Sequence, residues 1–228
     1  MFRVATYNVH DCIGRDGIYS PARIVEVISE LDVDVIALQE VTLDHAGDVL
    51  ARIEQVTAMK AIDGTLFERG VGRYGNVLLS RLPVIGQRLH DISWSGREPR
   101  GVVDARFETG GPACRMLATH LGLDWRERRE QIGRLAELIR DDQGPVVLLG
   151  DFNILIGKLG FGQLRRVGMR ATHVRSFPTW SVPLLALDRV LVREPSSLIR
   201  HWRHCSPSTT VASDHFPLVA ELELAPEG

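Results

Sequence analysis

The chain has 228 residues, of which 44% are hydrophobic and 25% are charged, the composition of an ordinary globular domain. This composition excludes disorder, collagen-like repeats and a coiled coil as the architecture of the whole chain. Lys and Arg number 27 and Asp and Glu number 29, so the net charge of -2 excludes a protein coated in positive charge for nucleic acid. The length fits one domain over residues 1–228.

The first part of the chain shows strand and helix patterns in turn. Alternating apolar and polar residues predict a strand over Phe2 to Val9. Ser20 and Pro21 make a helix start, and apolar residues at helical spacing follow them. A short apolar run from Val33 to Gln39 predicts a buried strand, and residues 47–57 are predicted as a second helix.

The remainder is rich in strands around one long helix. The spacing of apolar residues predicts this helix from Trp125 to Arg140. The predicted strands are Asn76–Ser80, Val84–Leu89, Val102–Phe107, Arg115–Thr119, Val146–Leu149, Leu187–Val192 and Phe216–Leu224. Because several strands run consecutively between helices, we expect a layered α/β protein with two mixed sheets packed face to face and helices outside.

Cysteine usage and hydropathy bear on the compartment. Cys12, Cys114 and Cys205 are far apart in sequence and show neither a disulfide framework nor zinc-ligand spacing. No apolar run approaches the roughly 18 residues that a membrane span requires. Residues 1–8 are too short and too polar for a secretory signal. We therefore expect reduced thiols, a cytoplasmic location and no stable membrane insertion.

Charge is unevenly distributed along the chain. Residues 156–210 hold nine Lys or Arg residues and two acidic residues, a net charge of +7 against -2 for the whole chain. One interpretation is a solvated surface that the acidic first sixty residues balance in space. The other is an electropositive wall beside an anionic substrate.

Polar residues stand where the predicted apolar strands begin or end. Taken singly, each fits a turn or a cap. Loops at one edge of packed sheets are also where a rigid scaffold presents reactive groups, and the number of such residues favours a shared site. The set is Asn8, Glu40, His120, Asp151, Asn153, Asp188, Asp214 and His215.

Part of this set suits a divalent metal. Mg²⁺ prefers carboxylate and amide oxygens and keeps several waters. Glu40 is the best single ligand candidate, and Asn8 and Asp214 can support it. Asp151 suits a carboxylate that orients or deprotonates a water nucleophile.

The rest of the set suits a phosphate that gains negative charge during hydrolysis. Asn153, His120 and His215 can supply donors to it. A catalytic histidine usually has a carboxylate that sets its tautomer, and Asp188 is the natural partner of His215.

Seven short motifs resemble the endonuclease/exonuclease/phosphatase superfamily, which includes pancreatic-type deoxyribonucleases, abasic-site endonucleases, sphingomyelinases and inositol-phosphate phosphatases. They occur in the family's order and span residues 6–218. The resemblance implies a four-layer α/β sandwich, deoxyribonuclease-like, and hydrolysis of a phosphoester with Mg²⁺ or Mn²⁺. The motifs are Thr6-Tyr7-Asn8, Leu38-Gln39-Glu40-Val41, Gly75–Ser80, Thr119-His120-Leu121, Gly150-Asp151-Phe152-Asn153, Leu187–Val190 and Ser213–Leu218.

The resemblance also implies a role for each matching residue. Glu40 would bind the metal, with Asn8 and Asp214 beside it, and Asp151 would orient or activate water. Asn153 and His120 would contact the phosphate, and the Asp188–His215 pair would lie near the scissile group.

Three further residues are predicted to contact substrate. The run Arg97-Glu98-Pro99-Arg100-Gly101, which holds the first of them, resembles a small bacterial subgroup of unassigned substrate. Arg100, in a polar run before a strand, can reach a phosphate or form a surface pair with a glutamate. Asn76 belongs to one matching motif. Trp180 resembles a residue near the family's cleft that can stack on a base, although core packing is the favoured interpretation.

Some features of the pancreatic-type and abasic-site nucleases are absent. The second Glu that pairs with the first active-site His has no match around Gly72-Arg73-Tyr74, and no long DNA-clamping insertion is evident. A dedicated duplex nuclease is therefore disfavoured. The leading interpretation is a metal-dependent phosphodiesterase, with nucleic acid among the candidate substrates. The alternatives are a phospholipid or small-molecule phosphoesterase and a non-catalytic binding module, and no protein partner is inferred.

Overall fold

A computed structural model describes residues 2–44, 49–70, 72–155 and 159–225. These residues form twelve strands and five α-helices. The strands are β1 (Phe2–Asn8), β2 (Val35–Asp44), β3 (Lys60–Arg69), β4 (Gly72–Ser80), β5 (Val84–Asp91), β6 (Gly101–Phe107), β7 (Cys114–His120), β8 (Val146–Asp151), β9 (Met169–Ala171), β10 (Asp188–Arg193), β11 (Ser197–Arg203) and β12 (Leu218–Glu223). The helices are α1 (Pro21–Leu31), α2 (Val49–Thr57), α3 (Trp125–Arg140), α4 (Gly162–Arg166) and α5 (Thr209–Ala212).

The strands form two six-stranded mixed sheets. The first has the order β11-β12-β1-β2-β4-β3 and the second has the order β5-β6-β7-β8-β10-β9. Each sheet contains one parallel pair, β1 with β2 and β7 with β8, and the other neighbours are antiparallel. A helix connects each parallel pair, α1 in the first sheet and α3 in the second, so both strands of a pair end at the same edge.

Apolar side chains fill three layers. Between the sheets, residues such as Val4, Ala37 and Leu149 form a fully buried core. α1 and α2 cover the outer face of the first sheet, and α3 and α4 cover the outer face of the second. The predicted α/β sandwich of two mixed sheets with outer helices is confirmed.

Most predicted elements match the structure, and three strands were missed. α3 has the predicted bounds, and of the helix predicted over 47–57, α2 forms Val49–Thr57 while 47–48 lie outside the described residues. The missed strands are β3, β9 and β11, each at the edge of a sheet. Charged and exposed residues interrupt the apolar alternation there, since an edge strand is covered less than a central one.

None of the described helices combines the length and the apolar character that a membrane crossing needs. Cys12, Cys114 and Cys205 are free thiols. Burial raises the pKa of the Cys12 and Cys114 thiols to about 12, so these two are unreactive at neutral pH.

Gly150 in β8 is a position where only glycine fits. Its φ is 153°, and a Cβ there would overlap the backbone oxygen of Thr119 on β7. We expect Gly150→Ala to lower the free energy of unfolding by about 2–4 kcal/mol, measured by urea denaturation. Gly86→Ala in β5 is the control, because a Cβ there meets no atom within 4 Å. Equal losses in the two variants would contradict the steric explanation.

Candidate active site

The ends of the two parallel strand pairs meet at one edge of the sandwich. Asn8 ends β1, and Asp151 ends β8 in the opposite sheet. The Asn8 side-chain nitrogen donates to Glu40 Oε1 at 2.8 Å and to Asp151 Oδ2 at 3.2 Å. The Asn8 oxygen accepts a hydrogen bond from the backbone N–H of His10 at 3.1 Å. Asn8 therefore joins two carboxylates that come from different sheets.

A β-bulge in β2 brings Glu40 to this edge. Leu38 pairs with Val77 and Val41 pairs with Gly75, so Gln39 and Glu40 together face one residue of β4. Glu40 has a φ of 57°, in the left-handed region that residues with a side chain rarely adopt. The bulge breaks the strict alternation of the strand and directs the carboxylate to Asn8. Such backbone strain is found most often at functional positions.

The turn after β8 holds Asp151 and Asn153 in a fixed relation. The backbone N–H of Asn153 donates to Asp151 Oδ1 at 2.9 Å, and Asn153 itself has a φ of 51°. The Asn153 side-chain nitrogen donates to the Leu121 carbonyl at 2.9 Å. The same amide group lies 3.1 Å from His120 Nε2. The turn therefore presents a carboxylate, an amide and an imidazole side by side.

His215 is held by a buried carboxylate. Its Nδ1 lies 2.9 Å from Asp188 Oδ2, and the Ser176 hydroxyl donates to that same oxygen. The Phe177 ring packs against the imidazole with centroids 4.8 Å apart. With Nδ1 occupied in this way, Nε2 faces Asp151 Oδ2 at 3.8 Å. Asp188 thus sets the orientation of the ring, as predicted for a catalytic pair.

Arg100 holds the His120 ring through its Nδ1 atom. Arg100 Nη1 lies 3.1 Å from His120 Nδ1, and its Nη2 pairs with Glu98 at 2.9 Å. A guanidinium only donates hydrogen bonds, so Nδ1 accepts from Arg100. The other ring nitrogen, Nε2, lies 3.8 Å from Asp151 Oδ2. Arg100 forms the expected pair with a glutamate, but it is 9% exposed and orients His120 rather than lying on the surface.

The two imidazoles differ in charge. Burial lowers the pKa of His120 to about 3, with Arg100 acting in the same direction and Asp151 in opposition. Burial also disfavours protonation of His215, but the negative charges of Asp188 and Asp151 outweigh it and raise the pKa to about 10. At neutral pH the site therefore presents one neutral and one positively charged ring, each with Nε2 beside Asp151.

The carboxylates at this edge suit a cation. Burial raises the pKa of Glu40, and the negative charge of Asp151 raises it further, while the hydrogen bond from Asn8 lowers it. In the described part of the chain, no Lys or Arg forms an ion pair with Glu40 or Asp151. Asp188 Oδ1 is buried without a hydrogen-bond partner. Ligand atoms of Asp151, Asp188 and His215 also lie within 4.8 Å of one another. Hard oxygen donors are the ligands that Mg²⁺ and Mn²⁺ prefer, and here the carboxylates outnumber the one positively charged ring beside them.

The remaining predicted residues lie around this centre. Asp214 precedes His215 and accepts a long hydrogen bond from Ser213 at 3.4 Å. Asn76 is buried opposite the bulge and lines a small cleft that includes Glu40 and Arg100. The favoured interpretation of Trp180 as a core residue is wrong, because its side chain is 54% exposed. Its ring packs edge-on against Phe177, 5.3 Å away, because the segment before β10 passes over the site.

Three contributing residues had no role assigned from the sequence. Ser176 donates to Asp188, and Phe177 supports the His215 ring. Ser213 donates to the Asn8 carbonyl at 2.7 Å and accepts from the His215 backbone N–H at 3.2 Å. Ser213 lies within the motif Ser213–Leu218, which was a reason to place it at the site. Ser176 and Phe177 carry no periodic pattern, because they reach the site only through the fold.

The basic segment 156–210 does not form one positive wall beside the site. Arg189 is buried against the Phe161 ring, where burial lowers its pKa to about 10. Arg170 pairs with Glu194, Arg193 with Asp142 and Arg200 with Glu221. Lys158 lies outside the described residues. Arg165, Arg166, Arg175 and Arg203 form no ion pair with another described residue, so acidic partners balance the described part of the segment only in part.

Comparison with known proteins gives one family and a shared fold. The model of the Endonuclease/Exonuclease/phosphatase family matches residues 5–215. The uncharacterized protein YbhP of Escherichia coli (strain K12) is 30% identical over 254 residues, which cover 98% of this chain and 96% of the relative.

Two solved structures have the same architecture. The endonuclease/exonuclease/phosphatase from Beutenbergia cavernae has a TM-score of 0.81 at 22% identity, over 99% of this chain and 72% of that one. A mannosyl-6-phosphatase of Bacteroides thetaiotaomicron has a TM-score of 0.75 at 17% identity, over 98% of this chain and 100% of that one. At these identities the likeness concerns the fold.

Proposed function

Since the chain belongs to the endonuclease/exonuclease/phosphatase family, we propose that it hydrolyses a phosphodiester with a divalent metal ion and a water nucleophile. The observation that carries the proposal is the convergence of Glu40, Asn8 and Asp151 from two sheets beside two oriented imidazoles. Turns and helix caps do not require several charged side chains to be brought together, which costs free energy of folding. The complete set therefore indicates a reactive site.

Glu40 and Asp214 are the proposed ligands of the metal. Bound Mg²⁺ or Mn²⁺ would neutralise the phosphate and orient it for attack. Asn8 orients Glu40, since its side-chain nitrogen donates to the carboxylate and its oxygen is already bound by the His10 N–H. Glu40 is partly buried and forms no ion pair with a Lys or Arg of the described residues, which supports the fit of a cation.

Asp151 is the proposed acceptor of the proton of the attacking water. As a carboxylate it can only accept, and its Oδ2 lies 3.8 Å from Nε2 of both His120 and His215. The Nε2 atoms of both rings and the Asn153 amide are the proposed donors to the phosphate oxygens as charge develops on them.

A metal-supplemented screen of phosphoesters tests the proposal. Protein stripped with EDTA is expected to be inactive on a chromogenic phosphodiester and to regain activity with Mg²⁺ or Mn²⁺. Chromogenic monoester, single- and double-stranded DNA, RNA and phospholipid substrates should be measured in parallel. Activity that survives complete metal removal would contradict the metal role. Absence of hydrolysis of every substrate with either metal would contradict the proposed function.

A further inference from the structure

The most exposed apolar side chains of the described residues are concentrated at the edge that carries the site. Five large apolar side chains are 59% to 76% exposed, more than any other large apolar side chain described. We call these five the apolar rim. They are Leu123, Trp125, Leu155, Val182 and Leu184. A contiguous exposed apolar surface on a water-soluble fold usually marks an interaction site.

The apolar rim is built by three neighbouring loops. β7, β8 and β10 are adjacent in the second sheet, and the loops follow β7, follow β8 and precede β10. The backbone N–H of Phe152 donates to the Leu187 carbonyl at 3.0 Å, which joins the second and third loops. Trp125 and Leu155 line one cavity of about 510 Å³, which joins the first and second. The five side chains therefore belong to one continuous edge.

This edge borders the candidate active site. Leu123 follows His120 by three residues, and Leu155 follows Asn153 by two. The third loop begins at Phe177, whose ring contacts His215. Any partner that covers the apolar rim would also cover the mouth of the site.

Positive charge lies beside the apolar rim. Arg129 and Arg166 line the same cavity as Trp125 and Leu155. They also line the adjoining cavity, whose lining includes Glu130 and Glu137. Neither arginine forms an ion pair with another described residue, and Arg126 stacks on the Trp125 ring at 5.4 Å. The segment 176–187, which carries the third loop, contains no charged residue. Apolar protrusions next to unpaired arginines complement an anionic surface with an apolar interior.

We propose that the apolar rim and its arginines dock the protein onto an anionic phospholipid layer, with the site facing the headgroups. Four of the five rim residues are aliphatic and have no ring with which to stack on a base, which disfavours single-stranded nucleic acid. Aliphatic side chains gain instead from burial at the acyl boundary. The docking stands on the surface alone, and only the identity of the substrate as a lipid phosphoester rests on the proposed function.

Vesicle co-sedimentation tests the proposal on the full chain. The wild-type protein is expected to sediment with vesicles of phosphatidylcholine and phosphatidylglycerol and far less with phosphatidylcholine alone. The variant Leu123→Ser/Val182→Ser/Leu184→Ser is expected to bind the anionic vesicles about tenfold less or weaker still. Addition of these vesicles should also shift the Trp fluorescence of the wild type to shorter wavelength. Thermal melts should show both proteins folded.

A matched control separates the apolar rim from exposed apolar surface in general. Val56, Ile85 and Ile199 are 52% to 57% exposed and lie on α2, β5 and β11. The triple serine variant at these positions should bind as the wild type does. Equal loss in both variants, or no binding of the wild type to anionic vesicles, would overturn the proposal. Rim-dependent binding of a single-stranded oligonucleotide in place of vesicles would overturn it as well.

The docking and the chemistry can fail separately. Glu40→Gln should bind vesicles as the wild type does, and the rim variant should keep its activity on a soluble diester. Vesicle binding by a protein that hydrolyses no phosphoester would support the docking and contradict the proposed function. Hydrolysis of a soluble diester by a protein that binds no vesicles would overturn the docking alone.

Discussion

Replacement of His215 by alanine is expected to lower kcat by about two to four orders of magnitude, with a smaller change in KM. The ring is 5% exposed, and its Nε2 lies 3.8 Å from the carboxylate proposed to accept the proton of water. Removing it deletes a donor that acts on the charge developed during hydrolysis. Steady-state kinetics on the substrate identified by the screen would measure the loss.

His90→Ala is the control for this variant. His90 Nε2 lies 2.8 Å from Asp104 Oδ2, so it forms the same kind of pair on β5 and β6, outside the proposed site. Its loss should leave turnover unchanged. Asp188 keeps its hydrogen bond from Ser176 when His215 is removed, so the His215→Ala protein is expected to fold. Thermal melts of both variants check this. A fully active His215→Ala protein, or an equal loss in His90→Ala, would refute the assignment.

Glu40→Gln is expected to abolish both metal-dependent hydrolysis and the rise in Tm that Mg²⁺ or Mn²⁺ produces in the wild type. Glutamine keeps an oxygen for the hydrogen bond from Asn8, so the local fold is preserved. Removing a partly buried negative charge that lies near Asp151 should also leave the metal-free protein as stable as the wild type or more so. Thermal melts with and without metal separate these two effects.

Glu127→Gln serves as the matched control for a buried glutamate. Glu127 is 3% exposed and accepts a hydrogen bond from Gln131 at 3.1 Å, away from the proposed ligands. This variant should retain the metal-dependent rise in Tm. If Glu40→Gln keeps that rise while Glu127→Gln loses it, Glu40 is not a metal ligand.

The positions of the site residues at strand ends were predictable. Asn8 and Asp151 stand directly at the carboxyl ends of apolar strands, although no local pattern predicts how the two sheets that carry them pack together. The long helix over Trp125–Arg140 was predictable for a similar reason, since its apolar residues repeat at helical spacing. Both patterns are local in sequence and need no knowledge of the partner strands.

Other features depend on pairing and could not be derived from local pattern. A regular strand would place Glu40 on the same face as Leu38, and only the unequal pairing of β2 with β4 turns it towards Asn8. Ser176 reaches Asp188 because a loop crosses the site, which no residue spacing records. Trp180 was expected inside because most large aromatic residues are largely buried, and here it is 54% exposed and packs against Phe177.

The hydrogen bond from Asn8 to Asp151 crosses from one sheet to the other, and this has a consequence for how the protein can vary. Apolar side chains such as Val4, Ala37 and Leu149 determine the separation of the sheets. Swaps that conserve volume are tolerated by a folded core, yet a displacement of about 1 Å can cost a hundredfold in rate. Natural substitution in this middle layer is thus expected to be limited by reaction geometry before it is limited by thermal stability.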